Sequence, residues 1–248
     1  FRQVGFQVSD YEKLTYLALT GGVPWYLELL NPKYSSLENI NKLCFAKNGI
    51  LVEEFDRIFH DLFDRRGDVC KKIVKSLTKS SLSYEALSKK INYSASGSLS
   101  NYVNELITAG FIERHYTWQI KSKKQSKLSS LRLKDNYLRF YFRFIEPNLH
   151  KIHKGLYEDV NISSLPGWSS ILGLQFENLV LNNRKLIIDK LKVKPEDIVF
   201  DDPFFQSPTV HQAGCQIDYM IQNKYNTLYL CEIKFSQNPI RASIVDEI

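Results

Sequence analysis

Methionine is almost missing from the chain: Met220 is the single one in 248 residues, and the first residue is Phe1. A chain without an initiating methionine is expected to be a piece of a longer polypeptide. The four cysteines, Cys44, Cys70, Cys215 and Cys231, form no C-x-x-C pair, and nothing resembles a secretion signal. A reduced, cytoplasmic setting follows. No apolar run approaches the roughly 18 residues that a membrane span requires. A phosphate loop of the form G-x-x-x-x-G-K-[ST] is also lacking, so the chain carries no ATP site of that kind. Local signatures of a Ser/His/Asp or Cys/His nucleophile are absent too.

What the chain does have is core-forming material. Hydrophobic residues make up 44% and aromatics 13%, which suits globular packing and argues against disorder. The length allows two or three domains. Net charge is +6, a balance that permits a polyanionic partner without demanding one.

The pattern is helical from Tyr11 to Leu30, interrupted by Gly21-Gly22-Val23-Pro24, where Gly stops one helix and Pro starts the next. Helices are predicted over Leu37 to Ala46 and Leu51 to Phe63, and the polar run Asp64 to Asp68 marks a domain boundary. Three short helices follow: Val69 to Thr78, a second capped by Ser83 and running to Ile91, and a third over about Ser96 to Ala109. Strands are expected at Phe111 to Trp118 and Leu128 to Lys134 around a polar loop. Helix, helix-turn-helix and a two-stranded wing make up the winged-helix order. The third helix offers Ser96, Ser98, Ser100, Asn101 and Asn104 but no Lys or Arg, which argues against sequence-specific reading of DNA. The wing carries Lys121, Lys123, Lys124 and Lys127, which suit non-specific phosphate contacts.

From Tyr137 to Ile145 an aromatic stripe at helical spacing predicts a connecting helix packed into a core. After Pro166-Gly167 a long helix is expected to about Leu191, then a strand at Ile198 to Phe200. His150 and His153 share a helical spacing without the further ligands of a zinc set, and His211 lies in a loop.

The chemistry is concentrated in Cys215 to Ser236, where two strand-like runs flank a polar turn. Odd positions are apolar in both runs: Ile217, Tyr219 and Ile221, then Tyr229, Cys231, Ile233 and Phe235. A shared core face therefore needs odd residues opposite odd residues, satisfied by a loop of three or five residues. That register puts Asp218 opposite or diagonal to Glu232, with Lys234 on the same face. Facing carboxylates cost roughly 0.2–1 kcal/mol relative to neutral pairs. Lys234 alone could neutralise one of them. A divalent cation accounts for all three residues, because hard oxygen ligands suit Mg²⁺ or Mn²⁺, and a lysine nearby can hold water or stabilise developing charge.

An apolar-flanked aspartate followed by E-x-K on the next strand, behind a helix bearing a glutamate, resembles the PD-(D/E)xK nuclease superfamily with its restriction-endonuclease-like fold. The resemblance implies Asp218 and Glu232 as metal ligands, Lys234 as the catalytic lysine, and Glu177 as the helix glutamate that joins them. Gln216-Ile217 stands where the family's proline usually precedes the aspartate. More broadly, G-G-V-P-W-Y-L-E-L-L at Gly21 to Leu30, the winged-helix order and R-L-K-D-N-Y-L-R-F-Y-F-R-F-I-E-P-N at Arg132 to Asn148 resemble the C-terminal region of archaeal-type AAA+ ATPases. That resemblance implies a multidomain α/β chain: a helical lid remnant over 1–66, a winged helix over 67–135, a connecting helix and linker over 136–165, and a nuclease-like domain with a mixed sheet over 166–248, incomplete at its end. It also implies an upstream ATPase domain holding ATP, in the same polypeptide before Phe1. Nucleic acid, DNA above RNA, is the implied partner and phosphodiester hydrolysis the implied activity. The alternative is a non-catalytic DNA- or protein-binding module regulating that ATPase.

Overall fold

Several helices of the chain start at side-chain caps, Ser9, Ser35, Ser83 and Asp135, that satisfy a first-turn backbone amide. In the computed structural model, which describes residues 8–63, 66–95, 97–208, 210 and 213–236, α1 (Asp10–Thr20) begins in a capping box between Ser9 and Glu12 and ends at Gly21, whose φ of 60° is the left-handed conformation a helix stop favours. Pro24 then opens α2 (Pro24–Glu28). A second capping box, Ser35 with Glu38, starts α3 (Ser36–Cys44), and α4 (Ile50–Phe63) follows. Next come α5 (Gly67–Ser76), α6 (Tyr84–Lys90) with Ser83 as its cap, and α7 (Gly97–Thr108). A two-stranded ribbon, β1 (Ile112–Gln119) and β2 (Lys124–Leu133), completes this stretch. Its turn is tighter than the polar loop expected, because Lys123 adopts φ 52° and its amide donates to the carbonyl of Gln119 at 2.9 Å.

Asp135 caps α8 (Asn136–Phe140), which passes through a π-helical turn at Tyr141–Ile145 and a 3-10 turn at Glu146–Asn148 into α9 (Leu149–His153). The continuous helix expected to Leu191 is instead two, α10 (Trp168–Asn182) and α11 (Lys185–Leu191). Asn183 explains the break: its side-chain amide donates to the carbonyl of Leu179 at 2.7 Å, an alternative to continuing the helical ladder. Asp64, Ser96, His211 and the end of the expected nuclease-like domain, 237–248, lie outside the described residues.

The chain forms two compact units, 1–113 with 132–175, and 114–131 with 176–248, passing between them within β1, β2 and α10. The first unit is helical and aromatic inside. Tyr137, Phe140, Tyr141, Phe142 and Phe144 are all buried, as a core stripe should be. Phe55 stacks on Tyr141 with ring centres 4.1 Å apart. Gln175, fully buried, donates to the carbonyls of Ala18 at 2.8 Å and Asn136 at 2.7 Å and accepts from Arg139 at 2.8 Å.

In the second unit β3 (Ile198–Gln206), β4 (Cys215–Asn223) and β5 (Leu228–Cys231) form a sheet in the order β3-β4-β5. Among the described residues its pairings are antiparallel rather than mixed, as short return connections require. β3 is much longer than the three residues expected. Pro203 does not end it but sits in a register shift between Asp202 and Phe204, the irregularity that tolerates a missing amide. Odd positions Tyr219, Ile221 and Ile233 pack with Leu181 and Val193, so α10 and α11 cover that face. On the other face Met220 and Phe204 pack against Trp118 of the ribbon. All four cysteines are free thiols, and no helix among the described residues is long and apolar enough to cross a membrane.

Candidate active site

The β4–β5 hairpin has the parity that its alternation requires. Tyr219 pairs with Cys231, Ile221 with Tyr229, and Gln222 with Leu228, leaving the five residues from Asn223 to Thr227 as the loop. Asn223 locks that loop, its side-chain oxygen accepting from the amides of Tyr225 at 3.0 Å and Thr227 at 2.9 Å. The paired register covers Tyr219 to Gln222. Just before it β4 bulges against β3, with Asp218 and Tyr219 standing against Pro203 alone, and Ile217 packs with Met220 rather than on the Tyr219 face expected of it.

The backbone ladder stops at Cys231, short of the strand end expected near Ser236. Asp218 takes over: its Oδ2 accepts the amide of Ile233 at 2.9 Å, so the aspartate side chain itself pins the E-x-K segment. Lys234 then pairs with Glu232, Nζ to Oε1, over 2.7 Å. Residues two apart in extended chain share a face, which is why that pair forms locally. Burial pushes the Asp218 carboxyl up, the Ile233 amide draws it down, the Glu232 charge raises it and the Lys234 ammonium lowers it. Asp218 and Glu232 are half-buried and Lys234 exposed. Glu177 is half-buried on α10. Its neighbour Phe176 meets the ring of Phe235 at 5.8 Å, so the helix and the E-x-K segment touch beside both candidate residues.

Sequence reasoning missed a second charged cluster. His115 Nδ1 lies 2.7 Å from Asp202 Oδ1, and Arg184 reaches Asp201 at 3.4 Å and Asp202 at 3.3 Å. The Tyr219 hydroxyl donates to Asp201 Oδ2 at 3.2 Å. Burial raises the Asp201 carboxyl, while Arg184 and the Tyr219 hydroxyl act the other way. Two adjacent acids inside a strand with a proline, Asp201-Asp202-Pro203, were the available signal, but β3 was expected to end before them. Trp118 and Gln222 were missed as well. The indole N–H donates to Gln222 Oε1 at 2.7 Å, and Gln222 Nε2 donates to the carbonyl of Ile120 at 2.9 Å.

Of the ribbon lysines, Lys121, Lys124 and Lys127 are exposed. Lys123 is committed, donating to the carbonyl of Lys224 at 2.7 Å. His150 and His153 lie on α9. Among the described residues no group of three or more His, Cys, Asp or Glu side chains is gathered at metal-binding range.

The chain is 29% identical over 177 residues to an uncharacterized protein of Methanocaldococcus jannaschii, MJECL04. The match takes in 70% of this chain and 38% of that relative's length. No family model and no solved structure matches the chain.

Proposed function

We propose that the second unit carries a metal-dependent phosphodiesterase site of the PD-(D/E)xK kind, built on Asp218, Glu232 and Lys234 with Glu177 assisting. The observation that carries this reading is the Ile233 amide on Asp218 Oδ2, which draws the E-x-K segment onto the aspartate although the strand ladder has ended. One oxygen of Asp218 remains for other work, and Glu232 supplies a second carboxylate. Two carboxylates completed by water and substrate phosphate are a donor set that Mg²⁺ or Mn²⁺ accepts, so these residues fit the ion. When bound, such an ion supplies charge stabilisation on a phosphoryl oxygen and a more acidic water. Lys234, exposed at the mouth of the site, can leave Glu232 to face the phosphate or the attacking water.

The Lys234–Glu232 ion pair also favours a second reading, since it neutralises one carboxylate with no cation at all. In that case the unit is a non-catalytic binding module, acting on an ATPase domain upstream in the same polypeptide. A Mn²⁺-dependent nicking assay on supercoiled plasmid and single-stranded DNA separates the two. Nicking by the chain that disappears in Glu232→Gln supports the phosphodiesterase, and equal nicking by both removes it.

A further inference from the structure

Three surface segments of the second unit are held together by hydrogen bonds to backbone carbonyls at the end of the sheet away from Asp218. Lys123 Nζ of the ribbon turn donates to the carbonyl of Lys224, in the β4–β5 loop, at 2.7 Å. The Lys224 amide donates to the carbonyl of Asp197 at 2.8 Å, and the Asp197 amide to that of Lys194 at 2.9 Å. Exposed lysines from all three segments, among them Lys121, Lys124, Lys192, Lys194 and Lys224, therefore cluster here. Nothing acidic lies between Arg114 and Lys134. Against Lys192 and Lys194, the segment before β3 adds the exposed Glu196 and also Asp197, the latter paired with Lys224 at 2.6 Å. Tyr225 projects from the same loop at 66% exposure, with the Lys224 ammonium 5.2 Å from its ring centre. The Asn223 bonds to the amides of Tyr225 and Thr227 brace the loop that presents the ring to solvent.

We propose that the ribbon turn, the β4–β5 loop and the segment before β3 form one binding surface for single-stranded nucleic acid, lysines meeting phosphates and Tyr225 stacking on a base. Like charges repel one another here, and a phosphate chain offsets that repulsion by releasing its condensed counterions. The aromatic ring decides the strand form. A base in a duplex has both faces covered by its neighbours, whereas an unpaired base offers a face to stack on. Binding rests on these residues alone; only the polymer's use as substrate rests on the phosphodiesterase reading.

The test is fluorescence anisotropy of labelled dT20 with the 248-residue chain in EDTA, where no metal-dependent cleavage occurs. The variants are Lys121→Gln with Lys124→Gln, Lys192→Asn with Lys194→Gln, and Tyr225→Ala; Asn tolerates the left-handed backbone at 192 (φ 55°). Each lysine pair is expected to weaken binding and to flatten the salt dependence by about 0.7 in log–log slope per lost contact. Tyr225→Ala is expected to weaken it roughly tenfold, as one lost base stack implies. A blunt duplex bound as tightly as dT20, an unchanged Tyr225→Ala, loss from the ribbon pair alone, or preference for anionic lipid vesicles overturns the proposal. A wild-type chain that binds dT20 but shows no Mn²⁺-dependent nicking, or nicks no faster than Glu232→Gln, removes the phosphodiesterase and leaves this surface standing.

Discussion

The indole N–H of Trp118 and the carboxamide of Gln222 meet at 2.7 Å in the interior of the second unit, 104 residues apart in sequence. Gln222 is fully buried and Trp118 nearly so, and the amide end of Gln222 is taken by the carbonyl of Ile120 at 2.9 Å. A buried glutamine with both ends bonded costs little to keep and much to break.

Trp118→Phe leaves Gln222 Oε1 without its donor and is expected to destabilise the fold by about 1–3 kcal/mol. Adding Gln222→Leu should cost less than the two single changes summed, because the orphaned acceptor is then gone. Urea denaturation of the four proteins measures the coupling.

Asp218 holds the Ile233 amide, and under the proposed phosphodiesterase reading it would also supply a carboxylate to the metal. Asp218→Asn keeps an acceptor for the amide and should retain stability while abolishing metal-dependent cleavage. Asp218→Ala should lose both, with about 1–3 kcal/mol of stability gone through the unpaired amide. Melting curves set beside nicking rates distinguish the two changes.

Asp135 caps α8 through the Leu138 amide at 2.7 Å, yet burial pushes its carboxyl up to about 6 from 3.8. A raised carboxyl favours the protonated folded state. Its contribution to stability is present in full below 3.8 and is lost as pH rises through about 6. Asn caps without titrating. Asp135→Asn should therefore gain on the wild type across that window by at most about 3 kcal/mol, less where solvent reaches the carboxyl. Denaturation midpoints at pH 4, 5, 6 and 7 should show a growing difference that then levels off.

Gln175→Met removes the donor to the carbonyls of Ala18 and Asn136 and one acceptor from Arg139. The expected loss is about 3 kcal/mol or more, since several buried groups lose a partner together. Gln175→Glu should lose nearly as much, because a carboxylate cannot donate to those carbonyls. Thermal melts of both variants check it.

Much of the first unit was legible because its signals are short-range. Gly21 and Pro24 punctuate α1 and α2, Ser83 caps α6, and the stripe from Tyr137 to Phe144 announced a core by its spacing. The capping boxes Ser9–Glu12 and Ser35–Glu38 were equally local and went unread. Asn183 was harder, since whether an asparagine turns on its own helix depends on what the following residues can pack against.

In the hairpin the pairing of Tyr219 with Cys231 and Ile221 with Tyr229 follows from alternation and an odd loop, whereas the bulge that carries Ile217 onto the Met220 face was not legible in that pattern. Alternation assigns a residue to a face and says nothing of what covers it. Met220 and Gln222 share a face by alternation, and only the folded chain decides that the ribbon lies over them. The pairing of His115 with Asp202, 87 residues away, is of the same kind. Periodicity, caps and turn parity are properties of neighbouring bonds, and the chain carries them even when unfolded. Which lysines stand together, and which acid meets which histidine, depends on surfaces that exist only once distant segments have buried their apolar sides against each other.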